Sequence, residues 1–233
     1  MEYKYTWNEN CLLKSSCILA QENRCDEHCA IQPEFEYLMQ TSNIPIKSRK
    51  PITLYPEDCD YETFKILAQI KSDMIKFVED GRWLYLWSNT LGCGKSEWVC
   101  KLINTYIVMV CIGNGFRDRV WFEYVPSFLL AAKEFKSEER EKRINNLLHR
   151  DVVVLDDIGA VKNSNYDMTV LSNIINTRYS NNKATLFTSN ISPDSLYETI
   201  EPRLADRVLS DIVLQLKGGG RRKYVSEYKR REE

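Results

Sequence analysis

The stretch Asn89-Thr90-Leu91-Gly92-Cys93-Gly94-Lys95-Ser96 decides the fold class, because its spacing matches a phosphate-binding loop of the Walker A type. Such a loop lies between a buried strand and a helix, and the apolar patterns at 83–87 and 95–110 predict both elements. The loop N–H groups and the helix N-terminus would then face a phosphate. Lys95 would reach the β- and γ-phosphates of ATP, and the Ser96 hydroxyl would ligate Mg²⁺. The predicted nucleotide-binding residues are Asn89, Thr90, Leu91, Gly92, Cys93, Gly94, Lys95, Ser96 and Glu97.

One position of the loop departs from the usual pattern, since Asn89 stands where glycine is expected. Asparagine enters the left-handed backbone region more readily than most residues, and Gly92 adds freedom inside the loop. We therefore interpret Asn89 as a tolerated variant. The alternative is that Gly-Cys-Gly-Lys-Ser is a chance tight turn.

A second motif, Val152-Val153-Val154-Leu155-Asp156-Asp157, is an apolar run that ends in two carboxylates. The run is typical of a strand buried on both faces, and the pattern is that of a Walker B strand. Asp156 would hold Mg²⁺ through water, and Asp157 would orient the attacking water. The alternative is a buried strand that runs into an Asp-Asp helix cap.

A third segment, Thr185-Leu186-Phe187-Thr188-Ser189-Asn190, predicts a strand with a polar end. If this strand lies between the two motif strands, Asn190 or Ser189 would point at the γ-phosphate or the water, as a sensor-1 group. An ordinary junction between a strand and a turn is the alternative.

Basic residues near the C-terminal end are the remaining candidates. Arg203 and Arg207 are four residues apart, so on a helix they share a face and could supply an arginine finger to a neighbouring subunit. Arg221 follows three glycines and could approach phosphate as a sensor-2 group, or contact nucleic acid. A solvated helix and a plain basic tail are the alternatives.

Strands that alternate with helices predict a parallel α/β sheet. The predicted strands are 83–87, 119–124, 151–155, 184–189 and 211–216, and the predicted helices include 34–40, 95–110, 126–135, 136–150 and 166–179.

These motifs together resemble the DnaC/DnaI-type helicase loaders and the related transposition helper IstB. The resemblance rests on Gly-Cys-Gly-Lys-Ser, Val-Leu-Asp-Asp-Ile-Gly, Thr-Leu-Phe-Thr-Ser-Asn-Ile-Ser-Pro and Arg-Leu-Ala-Asp-Arg. It implies an AAA+ (ASCE) core with strand order 5-1-4-3-2 and little or no lid domain. It also implies a replicative DnaB-type helicase as partner, single-stranded DNA as ligand, and ATP-dependent self-association. Arg207 is the better finger candidate and Arg203 the second. The N-terminal pattern looks most like that of a phage or prophage protein.

The resemblance extends to the cysteines at the N-terminus, Cys11, Cys17, Cys25 and Cys29. Such a cluster in a reducing compartment suggests metal ligands before disulfides, and we expect one Zn²⁺, with His28 as a possible substitute for Cys29. Packed free cysteines and an iron–sulfur cluster are the alternatives. The expected organisation is a cysteine-rich helicase-interaction module at 1–45, a linker and helix at 46–80, and the ATPase domain at 81–233.

The overall composition narrows the function classes. The formal net charge is -1 over 233 residues, so any nucleic-acid binding must come from a local patch. A charged stretch contains Lys133, Lys136, Arg140, Lys142 and Arg143, but the interleaved glutamates favour a solvated helix. No signal peptide or membrane-spanning run is recognised, so a cytoplasmic location is expected.

Three functional hypotheses follow. The first is an ATPase that loads a hexameric helicase onto single-stranded DNA during replication initiation, with slow turnover because Asp157 is shorter than the usual glutamate. The second is an IstB-like transposition helper. The third is an adaptor that binds ATP without hydrolysing it.

Overall fold

The computed structural model describes residues 11, 13–14, 17–22, 24–25, 29, 31–113, 119–132, 138–159 and 165–221. Their centre is a five-stranded parallel sheet with the order β2-β3-β4-β1-β5. This is the predicted order 5-1-4-3-2 viewed from the other edge, so the prediction is confirmed. The strands are β1 (Trp83–Trp87), β2 (Val120–Tyr124), β3 (Val152–Asp156), β4 (Ala184–Ser189) and β5 (Ile212–Gln215).

Ten α-helices are described around this sheet, and the predicted helices match them to within a few residues at each end. The region 46–80 contains two helices where one was predicted, because Asp73 interrupts them. Short 3₁₀ turns lie at Ile46–Ser48 and Asp58–Asp60. The α-helices are α1 (Ile18–Gln21), α2 (Ile31–Thr41), α3 (Tyr61–Ser72), α4 (Met74–Glu79), α5 (Lys95–Gly113), α6 (Val125–Ala132), α7 (Glu138–His149), α8 (Asn165–Ser180), α9 (Pro193–Thr199) and α10 (Pro202–Val208).

The two faces of the sheet bury separate hydrophobic cores, because successive strand side chains point to opposite faces. Leu84 and Leu86 of β1 face a core shared with α2, α3, α4 and α5. Trp83 and Tyr85 face the second core, which includes residues of α6, α8 and α10. With helices on both faces, β1, β3 and β4 are buried except for Trp87 at the end of β1, which explains their continuous apolar runs.

The described part of the predicted N-terminal module packs onto the first core. Leu13, Cys17 and Ala20 are buried there with Phe35 and Leu38 of α2. The segment after α2 also hydrogen-bonds to β2, since the Phe122 N–H donates to the Ser42 carbonyl over 2.8 Å. The boundaries at 45 and 80 stay predictions. Within the described residues, no helix combines the length and apolar character that a membrane crossing requires.

Candidate nucleotide-binding site

The predicted phosphate loop connects β1 to α5, which is the context that the motif requires. Gly92 and Gly94 have φ angles of 74° and 104°, a region that side-chain-bearing residues rarely enter. Asn89 does not belong to the described residues with positive φ, so the left-handed conformation that we invoked for it is not used. The loop turns at its two later glycines, and position 89 therefore has no backbone requirement for glycine.

The long helix α5 begins at Lys95, directly after Gly94. Its first N–H groups and its dipole make the loop side of this helix favourable for an anion. Ser96 and Glu97 lie in the first turn, and both are partly buried. This geometry can hold a phosphate group.

Lys95 folds back onto its own loop. Its Nζ donates to the carbonyl of Ser88 at 3.5 Å and to that of Thr90 at 3.4 Å, and lies 3.8 Å from Cys93 Sγ. The residue is 8% exposed. The ammonium group of Lys95 therefore donates to loop carbonyls, which are the acceptors that phosphate oxygens would replace.

Asp156 ends β3 and is buried beside the first turn of α5. The Thr188 hydroxyl donates to Asp156 Oδ1 over 2.6 Å, and Ser96 also hydrogen-bonds to this carboxylate. Burial raises the pKa of Asp156, although both hydrogen bonds oppose the shift. The two predicted magnesium residues are thus adjacent, and a buried carboxylate of raised pKa fits a site that a cation would stabilise.

Asp157 has an unusual backbone conformation, with a φ angle of 63°. Its N–H donates to the Thr188 hydroxyl oxygen over 2.9 Å, and the Asn190 side-chain amide donates to Asp157 Oδ1 over 2.8 Å. Burial raises the pKa of Asp157, while the charge of Lys95 and the bond from Asn190 lower it. Aspartate enters the left-handed region more readily than most residues, and the two hydrogen bonds hold Asp157 in that conformation at the sheet edge.

The glycine of Asp-Asp-Ile-Gly has a steric cause. A Cβ atom on Gly159 would lie 2.7 Å from Ile191 Cδ1 and 2.8 Å from Ser189 Oγ. The segment after β3 can therefore approach the end of β4 closely only with glycine here. The parallel register of β3 with β4 brings Asp157 and Asn190 to the same edge of the sheet.

Thr188 joins these residues and was missed by the sequence analysis. It bonds to Asp156 and to the N–H of Asp157, and its own carbonyl accepts the N–H of Ile158 over 3.0 Å. The available signal was a buried threonine two residues before Asn190, because side chains two apart in a strand point to the same face.

Arg221 lies outside the loop and contacts its carbonyl groups. The Arg221 N–H donates to the Gly92 carbonyl over 2.8 Å, and the guanidinium donates to the Cys93 carbonyl. The same guanidinium pairs with Asp60 Oδ2 at 2.6 Å and lies 5.1 Å from the ring centre of Phe64. Arg221 is thus brought to the phosphate loop, as predicted, but it contacts the protein backbone there.

Asp60 is fully buried and fixes the segment before Arg221. Its Oδ1 accepts the N–H groups of Lys217 at 2.5 Å and Gly218 at 3.0 Å. The nearby Glu57 accepts the N–H of Gly219 over 3.1 Å. No sequence signal identified these acids, because they contact residues more than 150 positions away.

The two finger candidates lie on α10, away from the hydrogen-bond network of the site. Arg203 is exposed. The Arg207 guanidinium lies 5.2 Å from the ring centre of Tyr179, which is itself 47% exposed. Among the described residues, neither is brought to the phosphate loop of its own chain.

The predicted zinc site finds no support in the described part of the chain. Cys17 is 5% exposed and packs in the first core, as a small hydrophobic residue does. Cys11, Cys25 and Cys29 are partly exposed, and no three metal-binding side chains among the described residues form a group. His28 lies outside the described residues.

The charged stretch after β2 is only partly described, since Lys133 and Lys136 lie outside the described residues. Arg143 pairs with Glu123 at 2.5 Å, and Glu123 is 1% exposed. This arginine is partly buried and its charge is paired with Glu123, which makes it a weaker candidate for DNA contact.

Comparisons with known proteins agree on the fold. No family model matches the chain, and no curated protein is significantly similar to it. Among solved structures, the chain is similar to DnaI, with a TM-score of 0.61 and 19% identity over 77% of this chain and 95% of that one. For a putative primosome component from Streptococcus pyogenes serotype M3, the TM-score is 0.60 and the identity 24%, over 79% of this chain and 97% of that one. For the DnaC helicase loader, the TM-score is 0.58 and the identity 19%, over 76% of this chain and 99% of that one. The chain thus shares the α/β fold of these proteins.

Proposed function

We propose that the chain is a Mg²⁺-dependent ATPase that loads a replicative DnaB-type helicase onto single-stranded DNA. The observation that carries the ATPase part is the network of Asp156, Thr188, Asp157 and Asn190 at the sheet edge beside the phosphate loop. The loader part rests on the likeness in fold to DnaI and the DnaC helicase loader.

Each group of the network has a distinct task in this proposal. Lys95 would turn from the loop carbonyls to the phosphates, and Ser96 and Asp156 would hold Mg²⁺, whose charge would neutralise that of the phosphates. Asp157 orients the attacking water, and the Asn190 amide fixes the carboxylate of Asp157 in position. Because aspartate is shorter than glutamate, we expect slow turnover that suits a switch between assembly states.

Arg221 acts in this proposal as a positioning residue. It donates to the carbonyls of Gly92 and Cys93, and in this proposal these bonds keep the loop in the conformation that binds phosphate. Its ion pair with the buried Asp60 keeps the guanidinium in place. The loop geometry then depends on the segment 217–221.

Arg207, with Arg203 as the second candidate, completes the site of an adjacent subunit. A mixing experiment tests this sharing. Chains with Arg207→Ala and chains with Asp157→Asn are each expected to be inactive alone, whereas their mixture regains part of the ATPase activity, since some interfaces then contain an intact Asp157 and an intact Arg207. If the mixture stays inactive while both variants still assemble, the arginine does not act across the interface.

The loading proposal is tested by co-elution of the full chain with a bacterial DnaB-type helicase, with ATP, with ADP and without nucleotide. We expect a complex with ATP, and Asp157→Asn should stabilise it because hydrolysis cannot release it. The chain lacking residues 1–45 should fail to bind if these residues form the interaction module. Binding to a transposase in place of the helicase would favour the IstB-like alternative, and the protein would in either case act in the bacterial cytoplasm.

A further inference from the structure

A groove of about 400 Å³ lies on the face of the sheet that carries α2 and α5, and it shares no residue with the nucleotide site. Its apolar floor includes Phe35, Met39, Ile52 and Val108. Its rim holds four basic residues, Arg49, Lys50, Lys71 and Lys101. Volumes of this order are typical of ligand sites.

One wall of the groove is fixed by hydrogen bonds to the rest of the fold. Asn104 of α5 donates to the Ser48 carbonyl over 2.7 Å, and Arg49 Nε donates to the Ile44 carbonyl over 2.9 Å. Ser48 is therefore held against α5, and Arg49 is held to the preceding segment at Ile44. A groove with fixed walls spends little free energy on ordering when it binds a partner.

The rim carries positive charge that the described chain does not neutralise. No acidic residue lines the groove, and none of Lys50, Lys71 and Lys101 has a carboxylate within 4.0 Å among the described residues. Burial and then the charge of Lys71 lower the pKa of Lys101. The charges of Lys71 and Lys101 thus oppose each other, and an anionic ligand beside them would offset that repulsion.

The chemistry of the floor distinguishes between classes of anionic ligand. Proteins that bind single-stranded nucleic acid combine positive charge with aromatic rings on which bases stack. Among the described residues of this lining the only aromatic one is Phe35, which is 6% exposed. Met39 is as buried, at 5% exposed, whereas Ile52 and Val108 are only partly buried and offer contacts to aliphatic side chains.

We propose that this groove binds an acidic segment of a partner protein, with aliphatic side chains on the floor and carboxylates beside Lys71 and Lys101. The inference does not rest on the ATPase proposal, because no residue is shared. Charge complementarity of this kind sets the specificity and the association rate of an interface.

A selection experiment with the full chain tests this proposal. A random peptide library is selected on the wild-type protein and counter-selected on the variant Lys71→Glu/Lys101→Glu. We expect enrichment of sequences that combine Asp or Glu with Leu, Ile, Val or Met. A labelled synthetic peptide from that set should bind the wild type and lose affinity by about tenfold or more in the variant.

The matched control is Lys65→Glu/Lys76→Glu, which makes the same charge change at exposed positions of α3 and α4. It should retain binding to within about twofold once the added salt is held constant. Circular dichroism checks folding, and Lys101→Gln replaces the double variant if that variant unfolds.

The proposal is overturned if no acidic peptide family is enriched, or if the peptide binds the groove variant as well as the wild type. It is also overturned if a labelled oligothymidylate binds the wild type, loses affinity in the groove variant and not in the control, and no peptide does so. That result would assign the groove to nucleic acid.

Discussion

The side-chain amide of Asn190 donates a hydrogen bond to Asp157 Oδ1 over 2.8 Å, which joins the end of β4 to the residue after β3. Asp157 is held a second time through its N–H, which donates to Thr188. The carboxylate is thus fixed both at its side chain and at its backbone. Catalytic groups require such support, because their rate contribution depends on position.

Removal of the Asn190 amide should therefore reduce turnover more than nucleotide affinity. We expect Asn190→Ala to lower kcat by about tenfold to a hundredfold and to leave the Kd for ATP within about threefold. Steady-state ATPase assays and titration with a fluorescent ATP analogue measure the two quantities. Ser195→Ala, at the start of α9, is the control, since this serine contacts only Ser192 and Thr199 in the described network. A parallel loss of affinity and turnover would show that Asn190 contacts nucleotide directly.

Because the carboxylate of Asp156 is buried, its replacement by an uncharged residue is expected to stabilise the fold at neutral pH. Burial raises its pKa above the unfolded value of about 3.9, so its contribution to stability is present at low pH and is lost as pH rises through the folded pKa. Asp156→Asn should therefore melt at the same or a higher temperature than wild type without nucleotide, with the larger gain at pH 7 than at pH 4.5. The same variant should lose Mg²⁺-dependent nucleotide binding.

Asp211 is the matched control for Asp156, because its pKa shifts the other way. Burial opposes ionisation of Asp211, but hydrogen bonds from Arg82 and the Trp83 N–H outweigh it and lower the pKa. Its stabilisation is present above the unfolded pKa and is lost as pH falls through the folded pKa. Calorimetry should thus show that Asp211→Asn lowers the melting temperature at pH 7. If Asp156→Asn lowers it as well, the opposite pKa shifts of the two carboxylates do not govern stability.

The contacts of Arg221 predict that a residue outside the phosphate pocket controls nucleotide affinity. Arg221→Ala and Asp60→Asn should each weaken ATP binding, and the double variant should be less affected than the sum, with a coupling energy of about 1–2 kcal/mol. Lys217→Ala is the control, since the Lys217 side chain is exposed and only its N–H bonds to Asp60. Additive effects in the double-mutant cycle would show that the ion pair between Arg221 and Asp60 does not influence ATP binding by the loop.

The alternation of strands and helices predicted the parallel sheet, and the resemblance to the helicase loaders implied its strand order. The local motifs predicted the phosphate loop and the strand ends at Asp156 and Asn190, and their contact with nucleotide stays a prediction. The sequence could not identify Asp60, because the partners of Asp60 lie at 217, 218 and 221. The left-handed conformation inferred for Asn89 was also wrong. Asparagine permits a positive φ, but in this loop the positive φ angles occur at Gly92 and Gly94. Thr188 lay within a recognised motif, but its bond to Asp156 depends on strand register.

The ion pair of Arg143 with Glu123 also could not be predicted from the sequence, and it gives a further prediction. Arg143→Ala leaves the carboxylate of Glu123 buried with only the Trp121 indole N–H as a described partner, so we expect a loss of about 3–5 kcal/mol in unfolding free energy. Lys142→Ala, exposed on the same helix, should change it by less than about 0.5 kcal/mol. Urea denaturation measures both, and equal small effects would return Arg143 to the candidate DNA contacts.

The most direct test of the central claim is the rate of phosphate release from ATP by the full chain and by Asp157→Asn, with and without Mg²⁺. We expect slow, saturable and Mg²⁺-dependent release by the wild type. We expect a loss of about a hundredfold or more in the variant, which should still bind ATP. Release at equal rates by both proteins, or binding of ATP by the wild type without any release, would contradict the central claim.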